Sequence, residues 1–199
     1  MNNQKIKQTP SRRQLLTAAT SVISGIGIGA AAFPFLASWQ PSAKAKSAGA
    51  PVTVELAQLA AGKMKVAEWR GRPIYIVYRT DAMLKSLQQQ EPLLSDPDSV
   101  RPQQPAYISG PTRSIDDRYL IVTGVCTHLG CAPTYRPDVA PEDLGSDWKG
   151  GFYCPCHGSK FDLAGRVFKG VPAPTNLVVP PHYYEGETRI IVGDEQEIS

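Results

Sequence analysis

CTHLGC at residues 126–131 and CPCHGS at residues 154–159 decide how this chain is read. All four cysteines of the 199-residue chain, and two of its three histidines, lie in these two stretches, which stand 22 residues apart. Each stretch places thiols and an imidazole within a few residues, first as C-x-H-x2-C and then as C-x-C-H. Three chemistries use such residues. Four cysteines in an exported domain can close two disulfides with the histidines incidental, but this leaves histidines in both stretches idle. Two Cys and two His can hold a tetrahedral zinc ion, although its usual C-x2–4-C and H-x3–5-H spacings are absent. The same donors can hold a [2Fe–2S] cluster, thiolates on one iron and imidazoles on the other. The residues alone leave all three open.

Around these stretches the chain reads as mainly β. Val52–Leu56 alternates, and Arg70-Gly71-Arg72-Pro73 makes a turn into the apolar run Ile74–Tyr78. Further strands are expected at Arg118–Val125, Leu177–Val179 and Thr188–Val192. Thr80 or Asp81 can cap a short helix over Met83–Gln90, ended by Pro92. Residues 91–114 carry five prolines and read as a surface loop, ordered or mobile. Many short strands between Gly/Pro turns argue an antiparallel β-sandwich or barrel. Trp69, Tyr75 and Tyr78 are expected in the core or as its cover, and His182 at the surface.

Composition sets limits too. Hydrophobic residues make up 42% and charged residues 20%, which excludes a disordered or collagen-like chain. Residues 1–50 hold six cations and no acid, leaving 15 cations against 18 acids in residues 51–199, a net of −3. The basicity belongs to the tail, so the body makes no case for nucleic acid.

Leu15–Trp39 is 25 uncharged, largely apolar residues, about 37 Å as a helix and enough to cross a hydrocarbon core of about 30 Å. Pro34 is expected to kink or end it near its far side. Cations before the run put residues 1–13 in the cytoplasm and the body across the membrane. Ser11-Arg12-Arg13-Gln14-Leu15-Leu16 resembles a twin-arginine export signal. Ala43, Ala45 and Ala48 offer small residues for cleavage, but the run exceeds a usual signal core, so retention as an anchor over 14–39 is expected. Residues 40–51, QPSAKAKSAGAP, read as a flexible linker.

With both boxes in view, the chain resembles the Rieske iron–sulfur proteins, and more narrowly the iron–sulfur subunit of quinol–cytochrome c reductase. Also similar are the basic stub, the anchor, the Ala-rich linker, Trp69-Arg70-Gly71-Arg72-Pro73 and Gly170-Val171-Pro172-Ala173-Pro174-Thr175-Asn176-Leu177. The resemblance implies an antiparallel β-sandwich Rieske domain over 52–199, with an inserted cluster-binding subdomain at about 124–174 and one N-terminal transmembrane helix. It implies one [2Fe–2S] cluster on Cys126, His128, Cys154 and His157, and a disulfide between Cys131 and Cys156. Ser159 would donate its hydroxyl to a bridging sulfide, helped by amides near Leu129, Gly130, Cys156 and Gly158. The Pro172/Pro174 segment would cover the cluster. His157 would contact the quinol and accept its proton.

The same resemblance implies cytochrome b and cytochrome c1 partners, an inner-membrane location with the Rieske domain periplasmic, and a linker on which that domain swings. Relatives often carry a tyrosine two residues after the serine, bonded to a ligand sulfur; this chain has Phe161. The alternative is the Rieske subunit of a soluble exported oxidase such as arsenite oxidase.

Overall fold

The computed structural model describes residues 11–43 and 49–194, in two compact units, Met1–Lys46 and Ser47–Ser199. The first carries one helix, Arg12–Ser38, of 27 residues. Ser11 caps it: its hydroxyl accepts from the Gln14 amide, and the Gln14 side chain accepts from the Ser11 N–H at 2.9 Å. Two residues of the export-like motif thus also close a capping box. Thr17 and Thr20 return their hydroxyls to the carbonyls of Arg13 and Leu16, which satisfies them without water. The helix does not end at Pro34; it runs on through that residue to Ser38, as helices long enough to cross a membrane commonly tolerate. Ala45 and Ala48 of the expected cleavage sequence, and residues 44–48 of the expected linker, lie outside the described residues.

In the second unit the described residues form three antiparallel sheets of three strands. The strands are β1 (Val52–Glu55), β2 (Met64–Trp69), β3 (Arg72–Tyr78), β4 (Tyr119–Thr123), β5 (Thr134–Arg136), β6 (Gly151–Cys154), β7 (Ser159–Asp162), β8 (His182–Glu185) and β9 (Arg189–Val192). Their orders are β1-β9-β8, β2-β3-β4 and β5-β6-β7. The middle sheet explains the continuous apolar run at 74–78. Side chains alternate faces along a strand, and here both faces are covered. Ile74, Ile76 and Ile121 pack with Val54, Ile190 and Val192 of the β1-β9-β8 sheet. Tyr75, Val77, Leu120 and Val122 point the other way, onto Phe152, Cys154 and Phe161 of the third sheet. The sheet that carries the second box therefore rests on the core of the β-sandwich.

Three expectations change. Leu177–Val179 is not a strand; it is extended chain bonded singly, Leu177 N–H to Gly165, Thr123 N–H to the Val178 carbonyl, and Val179 N–H to Gln103. His182 is not a surface residue: it is 1% exposed, with Nδ1 2.8 Å from the Pro180 carbonyl. Its position in β8, opposite Val192 of β9, puts the ring inside. The proline-rich segment 91–114, expected as a surface loop, is partly buried, with Leu94, Ile108 and Arg113 in the interior. It forms a strap laid along residues 163–177, after the capped helix Asp81–Gln90. Leu94 bridges to Phe168, and the Ser95 and Lys169 amides donate to Val167 and Leu93 at 2.9 and 2.8 Å.

Buried guanidiniums staple the strap down. Arg113 donates to the Ala164 and Leu177 carbonyls at 3.0 and 2.7 Å, and to Gln104 Oε1 at 2.8 Å. Arg79 donates to Thr112 and Leu163 at 2.9 and 3.1 Å. The five-donor fork of arginine suits such carbonyl-lined sites, where chain without ladder partners must still be satisfied.

Candidate metal centre

The two boxes fold into matched turns. The Gly130 N–H donates to the Cys126 carbonyl at 3.0 Å, and the Gly158 N–H donates to the Cys154 carbonyl at 2.9 Å. Both glycines sit at positive φ, 86° and 76°, a region that L side chains avoid, and that lets each loop double back at its tip. The first loop leaves the end of β4, and the second joins β6 to β7, where Cys154 and Ser159 face each other across the ladder.

Cys131 and Cys156 form a disulfide that ties one loop to the other, with Cα atoms 6.6 Å apart. The sulfurs of Cys131, Cys154 and Cys156 all lie within 4.8 Å of one another, but two of them are spent in that bond. The thiols left free are Cys126 and Cys154, both buried. Burial raises the Cys154 thiol; the Cys156 and His157 amides, which donate toward it, pull it down, and the adjacent Cys126 thiol adds to the rise. The imidazoles of His128 and His157 meet edge to face with centroids 4.8 Å apart. His128 is half-buried and His157 exposed.

The donors thus come sorted by type, thiol beside thiol and ring beside ring, each pair drawing one member from each loop. A [2Fe–2S] cluster with two cysteines on one iron and two histidines on the other needs this donor set, so the residues present fit the group.

Ser159 is fully buried, and its Oγ accepts the Ala173 N–H at 3.0 Å, which leaves its own O–H free to donate. The Gly130 and Gly158 amides close the two turns, and the amides directed at Cys154 are those of Cys156 and His157.

The segment Val171–Thr175 lies over the loops and is tied to both. Ser159 holds Ala173, and Thr127 Oγ1 donates to the Thr175 carbonyl at 2.7 Å. Arg101 donates to the Pro174 carbonyl, and Asn176 accepts the Val167 amide at 2.8 Å while donating to Asp96 and Ser99 of the strap. Sequence reasoning missed Thr127, Arg101 and Asn176 as parts of the site. A threonine inside the first box was a visible signal, whereas the arginine and asparagine acquire a role only once the strap is seen to reach this segment.

His182 shares no element with the loops, and burial lowers its pKa, a setting for a neutral core histidine. The first box itself carries one large exposed apolar side chain, Leu129, at 71% exposure.

Residues 98–181 match the family described as the Rieske [2Fe-2S] domain, and residues 2–42 match that described as the "Ubiquitinol-cytochrome C reductase Fe-S subunit TAT signal". The chain is 56% identical over 185 residues to a protein of Allochromatium vinosum named ubiquinol-cytochrome c reductase iron-sulfur subunit, covering 93% of this chain and 89% of that one. Proteins of the same name from Bradyrhizobium diazoefficiens and Blastochloris viridis are each 38% identical, covering 92% of this chain and 95% and 93% of theirs.

Proposed function

Since the chain belongs to the Rieske iron–sulfur subunits of ubiquinol–cytochrome c reductase, we propose that Cys126 and Cys154 bind one iron of its [2Fe–2S] cluster and His128 and His157 the other. When bound, such a centre accepts one electron at about −150 to +300 mV, against about −400 mV for all-thiolate ferredoxins, because neutral rings replace two anionic sulfurs. The subunit would then take electrons from a quinol and pass them on to a cytochrome c1-type haem.

The chain's own residues supply the rest. His157 stands exposed at a loop tip, so the ring nitrogen turned outward can meet a quinol hydroxyl and take its proton. The buried Ser159 hydroxyl, held by Ala173, can donate into the site. Val171–Thr175 covers one side and keeps water off the buried sulfurs, while exposed Leu129 gives an apolar contact for a membrane-embedded partner.

Cytochrome b and cytochrome c1 subunits would be the two partners. Helix Arg12–Ser38, apolar and long enough to cross a membrane, would be a retained anchor, with residues 1–13 cytoplasmic, 40–51 a hinge, and the body on the periplasmic side of the inner membrane. The sign of its flanking charges supports that orientation. The match of residues 2–42 to the reductase subunit's own signal family favours this reading over a soluble exported oxidase.

The pairing of two free thiols and two rings across disulfide-linked loops carries the proposal. Its test is low-temperature EPR of dithionite-reduced membranes expressing the chain, beside a His157→Ala control. A rhombic signal with a low average g, lost in the control, is expected. A silent spectrum from protein shown to be present, with zinc found by metal analysis, would overturn it.

A further inference from the structure

Among the described residues Arg79, Arg113 and Arg166 are each 0–1% exposed, and Asp162 is the one carboxylate buried with them. Arg166 is paired: its side chain reaches Asp162 Oδ2 at 2.8 Å, while Oδ1 of the same carboxylate accepts the Ala164 and Arg166 amides. Arg79 and Arg113 find only neutral acceptors, namely backbone carbonyls with Ser114 Oγ for the first and Gln104 Oε1 for the second. Burial lowers both guanidiniums to about 10, still well above neutral pH, so both remain cations. Asp96 and Asp117 also act on them, but from half-buried and exposed positions where water screens their charge.

The interior of this domain thus holds an excess of positive charge, and its position matters. Asp162 ends β7, the strand that begins at Ser159 opposite Cys154. Three residues of strand amount to about 10 Å. Arg79 and Arg113 grip the next residues, Leu163 to Gly165. Cys126 and Cys154 share one buried core with Phe152, Phe161 and Val167, and the last two flank the buried Asp162 and Arg166 in sequence.

Resting on the ligand reading above, the structure assigns to Arg79, Arg113 and Asp162 a second role besides stapling the strap: they set the reduction potential of the cluster. Reduction adds one electron to the site behind which these cations sit, so the excess favours the reduced form. At an effective dielectric constant of about 20 and a separation of about 10–12 Å, one unit charge changes the reduced-to-oxidised ratio roughly tenfold. For a one-electron couple that equals about 59 mV.

The test is redox titration of the full chain in membranes, read by EPR, for Arg79→Gln, Arg79→Lys, Arg113→Gln and Asp162→Asn. The potential is expected to fall by about one tenfold step in Arg79→Gln and Arg113→Gln, to rise by a similar step in Asp162→Asn, and to hold in Arg79→Lys, all insensitive to added salt. A purely structural role would move glutamine and lysine variants alike and would not reverse sign at Asp162; that pattern overturns the assignment. Should one variant fail to load a cluster, the remaining opposite-sign pair decides. Absence of the signal from the wild-type chain would instead overturn the ligand reading.

Discussion

Phe161→Tyr tests how the protein around the ligands tunes the centre. Phe161 is fully buried and lies opposite Phe152, on the same face of β6 and β7 as Cys154 and Ser159. Cys154 and Phe161 are diagonal neighbours across the ladder, with about 7–8 Å between positions, a span aromatic side chains bridge. A hydroxyl carried along that diagonal would be a donor on the Cys154 side of the ladder, where the sulfur is an anionic acceptor when it holds iron. Hydrogen bonds to charged groups contribute about 1.5–3 kcal/mol, and only the part that grows on reduction shifts a potential. If about 1–1.4 kcal/mol of it does, the potential rises by about 40–60 mV for a one-electron couple. Inserting an oxygen into this packed core costs about 1–3 kcal/mol of stability, which thermal unfolding reads separately. The assay is an EPR-monitored redox titration of wild type, Phe161→Tyr and Phe161→Met, the last altering packing without adding a donor. An unchanged or lowered potential in a fully loaded Phe161→Tyr variant would refute the reasoning.

Replacing Cys131 and Cys156 together with alanine removes a link across 25 residues, which in the chain-entropy account destabilises the domain by about 3.5 kcal/mol; denaturant titration should show a lower midpoint, and an unchanged midpoint would count against the disulfide as a structural tie. His182 gives a pH dependence whose sign follows from its burial. The unfolded chain protonates it near pH 6.5, the folded one resists, so the unfolded state binds more protons below that pH and stability falls as pH drops through about 6.5. Melting temperatures from pH 8 to 5 should decline more steeply in wild type than in His182→Gln, and parallel curves would show that the ring contributes nothing. Replacing Lys44–Ala50 with prolines should slow quinol–cytochrome c turnover several-fold while leaving the EPR signal intact; full turnover would rule out a swinging domain.

What the sequence made legible follows from how locally each feature is encoded. Ile74–Tyr78 could be read because a strand buried on both faces must be apolar throughout, and Thr80 announced its helix because a cap is a local event. β2 was missed for the opposite reason: Met64–Trp69 pairs on one side with β3 and leaves Lys65 and Glu68 exposed, so its composition resembles a loop. β5, β6 and β7 are three or four residues long and carry too few alternations to reveal a period. The disulfide followed from the family resemblance and formed as expected. The strap was illegible, since nothing local distinguishes an arginine that will lie at the surface from one that will be buried among carbonyls contributed by residues some 50 to 80 positions away.

That difference in encoding has a functional side. Ligands must sit at fixed short spacings because two small loops present them, and so they advertise themselves. The groups that govern their surroundings act at a distance: Ser159 through Ala173, Thr127 through Thr175, Arg101 through Pro174, and Asn176 through the strap at Asp96. Together these contacts tie the covering segment to both boxes and to the strap. A cover fixed at several points can exclude water from the sulfurs while His157, exposed at the tip of the loop between β6 and β7, stays open to a partner. The proline-rich strap is therefore less a connection between β3 and β4 than the support that lets a site with one exposed ligand keep the other side dry.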